Sequence, residues 1–353
     1  MKNKMIVLSI IISSLFAGEF GGYSIFEYSN QAFEISRVYL QYTDDLADDL
    51  FLKIRYDVGR DGVDEDGEPT KDGKFVNYLK NAYVDWKRGE NGKFSFGMIS
   101  TNSYGAQEST WGYRFIAKST ADYHKFTNTA DIGMGYSHKF GDINISAQIL
   151  NGEGYKSKQT DDYVSTYLRV MYGEAKLNKN DGYNIGLVMT QNNGMSDDIM
   201  ELDDEGVQCM DDNNPEGCNP TYGTETDVVS IDADSDNENL ISLFAGWSKN
   251  NLRIGFDHNS FESWNSSNQT LETQTVQSLY VNYSISETMD VFMKYNSGEW
   301  WVEDDNGDDV LTKDQSIAWV GGVWNATNGL YISPNVIIED GSNDYRLTFM
   351  FKY

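Results

Sequence analysis

From Tyr345 onward every second residue is large and apolar: Tyr345, Leu347, Phe349, Phe351 and Tyr353. Arg346, Thr348, Met350 and Lys352 sit between them. Side chains alternate between the two faces of a strand, so this stretch builds a strand with one apolar and one mostly polar face. In water a long apolar edge invites aggregation. A closed barrel in a bilayer leaves no edge, satisfies every backbone group internally, and turns one face of each strand to hydrocarbon.

The same alternation recurs along the chain. Leu52, Ile54 and Tyr56 alternate with Lys53, Arg55 and Asp57. Ala82, Val84 and Trp86 alternate with Asn81, Tyr83 and Asp85, and Phe94, Phe96 and Met98 follow a short turn. Gly141-Asp142 and Asn250-Asn251 separate two further pairs of alternating runs, a hairpin signal. Read in this way, the 353 residues hold sixteen strands joined by links that alternate between short and long, with few exceptions. That asymmetry predicts an all-β fold: a transmembrane antiparallel up-and-down β-barrel of about sixteen strands, with short periplasmic turns and long extracellular loops. The chain has only four prolines, which leaves the ladder N–H groups intact, and no amphipathic helix is expected after residue 20. The longest links span 59–74, 101–129, 192–239 and 297–313.

The N-terminus supplies the address. Lys2 and Lys4 precede an apolar run from Met5 to Phe16, closed by Ala17 and Gly18. This is the pattern of a secretory signal peptide over residues 1–18, too short to span a bilayer. Residues 19–353 then form a single barrel domain. The net charge of -28 argues against nucleic acid as a partner.

Strands entering the short turns end on Tyr42, Trp86, Phe140, Tyr172, Trp247, Tyr283 and Trp324, and the chain ends on Tyr353. Aromatic side chains favour the headgroup layer, so these eight are expected to form a girdle. Trp324 fits the lipid face, on this reading, only with a bulge at Gly321-Gly322.

The run FEISRVYLQY from Phe33, followed by FLKIRYDVG, LKNAYVDWK and KFSFGM, resembles the opening strands of the phosphate-selective porin O/P family. The C-terminal aromatic strand is similar to that of Gram-negative porins in general. The resemblance covers roughly the first 150 residues and the last strand. It implies a passive, homotrimeric channel in the outer membrane of a Gram-negative bacterium, whose third outside loop folds inward. It implies no cofactor and no catalysis. The family's phosphate selectivity depends on a dense ladder of arginines and lysines, and this sequence departs from it.

Strand parity gives the lumen. Lys53, Arg55, Asp85 and Arg169 face inward on this count, with both signs of charge present. Unpaired ions in a dry interior cost several kcal/mol, so the lumen is expected to be wet. The link 101–129 carries Arg114, Lys118, His124 and Lys125 and little acidic charge. It is expected to bend into the lumen and place these residues at the constriction.

The longest link, 192–239, holds fifteen Asp or Glu and no Lys or Arg. An acidic vestibule of this kind concentrates cations, which predicts cation preference at low salt. Asp232, Asp234 and Asp236 have a D-x-D-x-D spacing, a calcium candidate, but Leu243 stands where an EF-hand needs glutamate. The same acids could bridge divalent ions to lipopolysaccharide phosphates. Cys209 and Cys218 share this link, and export to an oxidising compartment favours their pairing as a disulfide.

Two other classes compete. Outer-membrane phospholipases use a His-x-Ser pair, a spacing met by His258 and Ser260, but Phe261-Glu262-Ser263 lacks the Asn-Gly-Arg that follows in that family. A non-conducting adhesin or structural barrel would have a plugged lumen.

Overall fold

The computed structural model describes residues 18–60, 73–159, 163–195, 235–265, 270–303 and 309–353. Of the expected signal peptide, 1–18, residues 1–17 lie outside the described residues, as do Cys209, Cys218, Asp232 and Asp234, and of Asp236 only the backbone is described.

The first strands are β1 (Glu19–Ser29), β2 (Ala32–Ala47), β3 (Leu50–Arg60), β4 (Phe75–Arg88) and β5 (Gly92–Ser100). Two short helices follow, α1 (Gly105–Trp111) and α2 (Thr120–Tyr123). Then come β6 (Ala130–Phe140), β7 (Ile143–Leu150), β8 (Ser165–Gly173) and β9 (Gly182–Met195). The chain continues through β10 (Ser235–Lys249), β11 (Leu252–Asn265), β12 (Thr270–Ser284) and β13 (Met289–Glu303). It finishes with β14 (Asp309–Thr327), β15 (Leu330–Glu339) and β16 (Ser342–Lys352). Each strand pairs antiparallel with its sequence neighbours, and β1 pairs with β16 from Tyr23↔Lys352 to Tyr28↔Leu347, closing a sixteen-stranded barrel. Closure removes the free edge that the terminal alternation would otherwise expose.

Turn chemistry fixes the register at both ends of the sequence. Asn30 and Gln31 have φ of 50° and 63°, and Asp340 and Gly341 have 45° and 83°. Two successive left-handed residues are what a tight two-residue hairpin requires. With register set, parity follows. Leu279, Val291, Met293, Trp247 and Phe351 are exposed on the outer face, while Tyr280, Phe292, Lys294 and Met350 between them are buried. An apolar outer face and a mixed inner face are the inverse of a soluble sheet, and suit a hydrocarbon solvent outside.

Three expectations need correction. First, strands β12, β13 and β14 run well past the bounds read from apolar alternation, so most of the acidic link 297–313 is ladder. Backbone pairing continues where the outward residues turn polar, so the pattern fades before the strand does. Second, the register across β13 and β14 is unbroken from Met289↔Trp324 to Trp300↔Lys313, so Gly321-Gly322 carries no bulge. Trp324 is already on the outer parity, with Val320, because Ile317 and Trp319 are the inward residues. Third, the link 101–129 contains α1 and α2, each too short to show a helical period.

All eight girdle residues lie on the outer parity at the end where the termini meet the short turns. Seven are exposed, from 36% at Trp86 to 58% at Phe140, and Tyr42 is half-buried against Phe20 with ring centroids 4.9 Å apart.

Candidate functional site

The segment 101–129 is fastened to the inward side chains of the wall. Asn102 donates twice to β7: its backbone N–H to Gln148 Oε1 at 2.8 Å, and its side-chain amide to the Ser146 carbonyl at 3.1 Å. Helix α1 lies against β10, where a Cβ on Gly246 would come within 2.7 Å of Thr110 Cγ2. The helix ends at Gly112, whose φ of 80° provides the left-handed cap. There Arg253 Nη2 and Asn282 Nδ2 both donate to the Trp111 carbonyl, at 3.1 and 2.8 Å. Tyr113 Oη donates to Asp290 at 2.7 Å, and Thr120 Oγ1 donates to Asp257 at 3.2 Å. Trp111, Phe115, Ile116 and Ala117 join Phe292, Ile317, Trp319, Met350 and Ile25 in a buried apolar cluster. The segment thus covers the inner wall from β6 round to β1 and leaves β2–β4 facing it across a gap.

That gap is a cavity of about 300 Å³. Its basic lining is Arg37, Lys80, Arg114, Lys118, Lys125 and Lys156, against the acids Asp122 and Glu153. On the segment side, Arg114 donates to Glu108 Oε1 at 2.8 Å and to Asp122 Oδ2 at 2.7 Å, and Lys118 Nζ stands 3.5 Å from Asp122. Burial pushes the Glu108 carboxyl up, against the pull of Arg114. Burial works against the Arg114 charge, but Glu108 and Asp122 outweigh it and raise its pKa. Arg114 is therefore a permanent cation with a fixed orientation.

On the wall side, Asp57 is fully buried and takes Arg37 at 2.8 and 3.0 Å. Lys80 Nζ is 3.9 Å from the same carboxylate and lies over the rings of Tyr39 and Tyr155, at 5.4 and 4.9 Å. Tyr155 Oη completes the set with a 2.7 Å bond to Asp57. Tyr155 belongs to the next link, 151–164, so a second connection also reaches inward. Burial raises the Tyr155 pKa, and Asp57 adds to the effect, so its hydroxyl stays protonated and donating.

A second polar cavity, about 180 Å³, is lined by Asp85, Lys93, Ser95 and Arg169 among others. Asp85 is bonded to Lys93 at 2.7 Å and to Ser95 at 2.5 Å, and Arg169 Nη2 donates to Asn144 at 2.8 Å. Arg55 donates to Gln41 at 2.6 and 3.1 Å, and Lys53 shares its inward parity.

Of the residues expected at the constriction, the fold brings Arg114, Lys118 and Lys125 together at one opening. Lys53, Arg55, Asp85 and Arg169 line the wall elsewhere. His124 is a correction. It turns from the opening into an aromatic wedge, stacked on Phe126 at 5.6 Å and beside Trp300 at 5.7 Å, with Nε2 buried and unpartnered. A neutral imidazole is an aromatic plate, and packing decides its direction. Burial lowers its pKa to about 4, with Lys294 and Lys313 adding to the shift.

The strand reading missed Arg37, Lys80 and Tyr155. Arg37 was legible, since Val38, Leu40 and Tyr42 put odd-numbered residues of β2 inward. Lys80 was not. A bulge opposite Arg55 and Tyr56 adds one residue to β4, so Lys80 and Asn81 are both buried and simple alternation fails there. His258 and Ser260 share the outer parity of β11, opposite Gln277 and Thr275.

The model of the family "Phosphate-selective porin O and P" matches residues 14–181, just under half of the chain. No curated protein matches it. Among solved structures, a loop L8 deletion mutant of OmpT from Vibrio cholerae is similar with a TM-score of 0.60 and 14% identity, covering 96% of this chain and 100% of that one. OmpF of Salmonella typhi, in complex with daunomycin, has a TM-score of 0.59 and 10% identity, with 95% and 97% covered. An anion-selective porin from Comamonas acidovorans has 0.56 and 13%, with 95% and 99% covered. At these identities the solved structures speak to the fold, and the family match speaks to the first half of the sequence. The chain has the sixteen-stranded barrel fold of outer-membrane porins, and over residues 14–181 it is similar to the phosphate-selective porins O and P.

Proposed function

We propose that the protein forms a water-filled channel for passive diffusion of ions and small hydrophilic solutes, with the opening between segment 101–129 and β2–β4 as its narrowest point. The observation that supports this is the charge of that opening: six basic side chains and two acidic ones line about 300 Å³. Such a set needs water, because charges packed without it cost several kcal/mol each. The narrowest point governs selectivity, since solutes lose most hydration there. The basic excess therefore favours anions, and this reading replaces the cation preference expected from the loops alone. The outer links are rich in acidic residues, and on this reading they form an acidic vestibule above it. That vestibule attracts cations to the mouth and weakens with ionic strength. Calcium bound by the outer acids would reduce its field.

The protein acts as a pore and not as an enzyme. The girdle from Tyr42 to Tyr353 sits in the inner headgroup layer, lipopolysaccharide surrounds the outer rim, and three copies assemble side by side, as the family resemblance implies. Liposome swelling tests the reading. Proteoliposomes should swell in iso-osmotic arabinose or glycine within seconds. Vesicles that hold their volume would mean a non-conducting barrel.

A further inference from the structure

We infer that Lys294, on the wall strand β13, is the positioning residue that holds Lys118 and its segment at the edge of the opening. The inference rests on the channel reading for its consequence, and on geometry for its substance.

Lys294 is fully buried and does not line the opening. Its ammonium donates to the Lys118 carbonyl at 2.6 Å. Three rings surround it, Trp111 at 5.7 Å and Tyr280 and Trp319 at 5.8 Å each. A buried lysine is tolerated only where partners replace its water, and aromatic faces with a carbonyl oxygen do so. The cage is built from both parties: Trp111 comes from the segment, Tyr280 and Trp319 from the wall. Tyr280 faces Lys294 directly across the β12–β13 ladder, and its ring occupies the space that a Cβ on Gly255 would need.

The adjoining residues are held in the same way. Trp111 Nε1 donates to the Ala117 carbonyl at 3.0 Å. Thr120 donates to the buried Asp257, which also accepts the Tyr280 hydroxyl at 3.2 Å. Lys118 and Thr120 are thus pinned from the wall side, and Ala117 from within the segment by Trp111. Between α1 and α2 the chain has no long regular structure, so these contacts set where it lies. Lys118 then presents its side chain to the opening from a backbone fixed behind it. Because Lys294 is remote from the permeating solute, replacing it alters the pore only through the segment.

The test uses the full-length protein refolded in lipid, with Lys294→Met, Lys294→Arg and Asp257→Asn. Hydrogen exchange of the amides in residues 112–119 reads the latch whether or not the barrel conducts. Lys294→Met should speed that exchange about tenfold or more, as local opening replaces docking, while strand amides stay protected. Lys294→Arg, which keeps a cationic donor, should stay within about threefold of wild type. Single-channel records of Lys294→Met should flicker between levels and lose part of their ion preference. Wild-type exchange in a folded Lys294→Met barrel overturns the inference. If Lys294→Met does not fold, Asp257→Asn decides, with faster exchange expected and wild-type exchange contradicting. A wild-type protein that never conducts, but whose segment loosens in Lys294→Met, upholds the latch and removes the channel reading.

Discussion

Arg37 holds both carboxylate oxygens of Asp57, at 2.8 and 3.0 Å, across the β2–β3 pairing in which Tyr39 stands opposite Asp57. One buried acid therefore offsets Arg37 and, at 3.9 Å, part of Lys80. Asp57→Asn should release that restraint. A unit charge at such range is worth about 1 kcal/mol in water, or up to about fivefold in local anion concentration. The reversal potential in a salt gradient should move toward anions, and the tyrosine hydroxyl of Tyr155 should lose its strong acceptor. An unchanged potential would place Asp57 outside the field felt by permeant ions.

On the opposite side of the gap, Arg114→Glu combined with Lys125→Glu reverses two of the six basic charges. Single-channel recording should then show cation preference and an altered conductance. Equal conductance and preference in mutant and wild type would mean that segment 101–129 does not border the pathway. Glu108 and Asp122 both lose Arg114 in this variant, with Lys118 left beside Asp122, so a modest loss of barrel stability accompanies it.

His124 gives a pH dependence with a defined sign. Its pKa in the docked segment is about 4, below the ordinary value near 6.5, because of burial and the nearby Lys294 and Lys313. Above pH about 6.5 the ring is neutral both docked and undocked, and docking is at full strength. As pH falls from about 6.5 to 4, the undocked ring takes up a proton first, so docking weakens across that window and has lost this contribution below it. Current noise should therefore rise on acidification through this range. His124→Phe keeps the stack on Phe126 and should abolish that rise, and persistence of the rise would assign it to another group.

The lipid-facing side makes a prediction about stability. Met293 is 49% exposed on the outer parity of β13, flanked by the buried Phe292 and Lys294. Met293→Arg puts a charge in hydrocarbon and should cost about 2–4 kcal/mol, whereas Trp324→Arg at the girdle should cost about 0–1 kcal/mol. Reversible urea unfolding from lipid vesicles measures both. Equal costs would contradict the assignment of Trp324 to the headgroup layer.

The period-two alternation was enough to read the barrel, its closure by the Tyr345–Tyr353 stretch, and the inward parity of Lys53, Arg55, Asp85 and Arg169. It failed wherever one residue breaks the count or a side chain has a choice. The extra residue in β4 hides Lys80, and only the pairing of Arg55 with Asn81 and Tyr56 with Leu79 reveals it. Ile317 and Trp319 look like lipid-facing residues in the sequence because both faces of β14 are apolar. They face inward because segment 101–129 offers them Phe115 and Trp111 to pack on. His124 follows the same logic: Phe126, two residues on, and Trp300, from a distant strand, decide its direction, and the sequence does not announce the second. Wall contacts such as Lys294 to Lys118 join residues far apart in sequence, and no local pattern announces them.

The most direct measurement is the reversal potential of the purified protein in a planar bilayer under a KCl gradient. The account predicts discrete conductance steps with a potential that favours chloride, shifting toward cations in the Arg114→Glu, Lys125→Glu variant. Absence of steps, or a potassium-selective potential that the variant leaves unchanged, would contradict it.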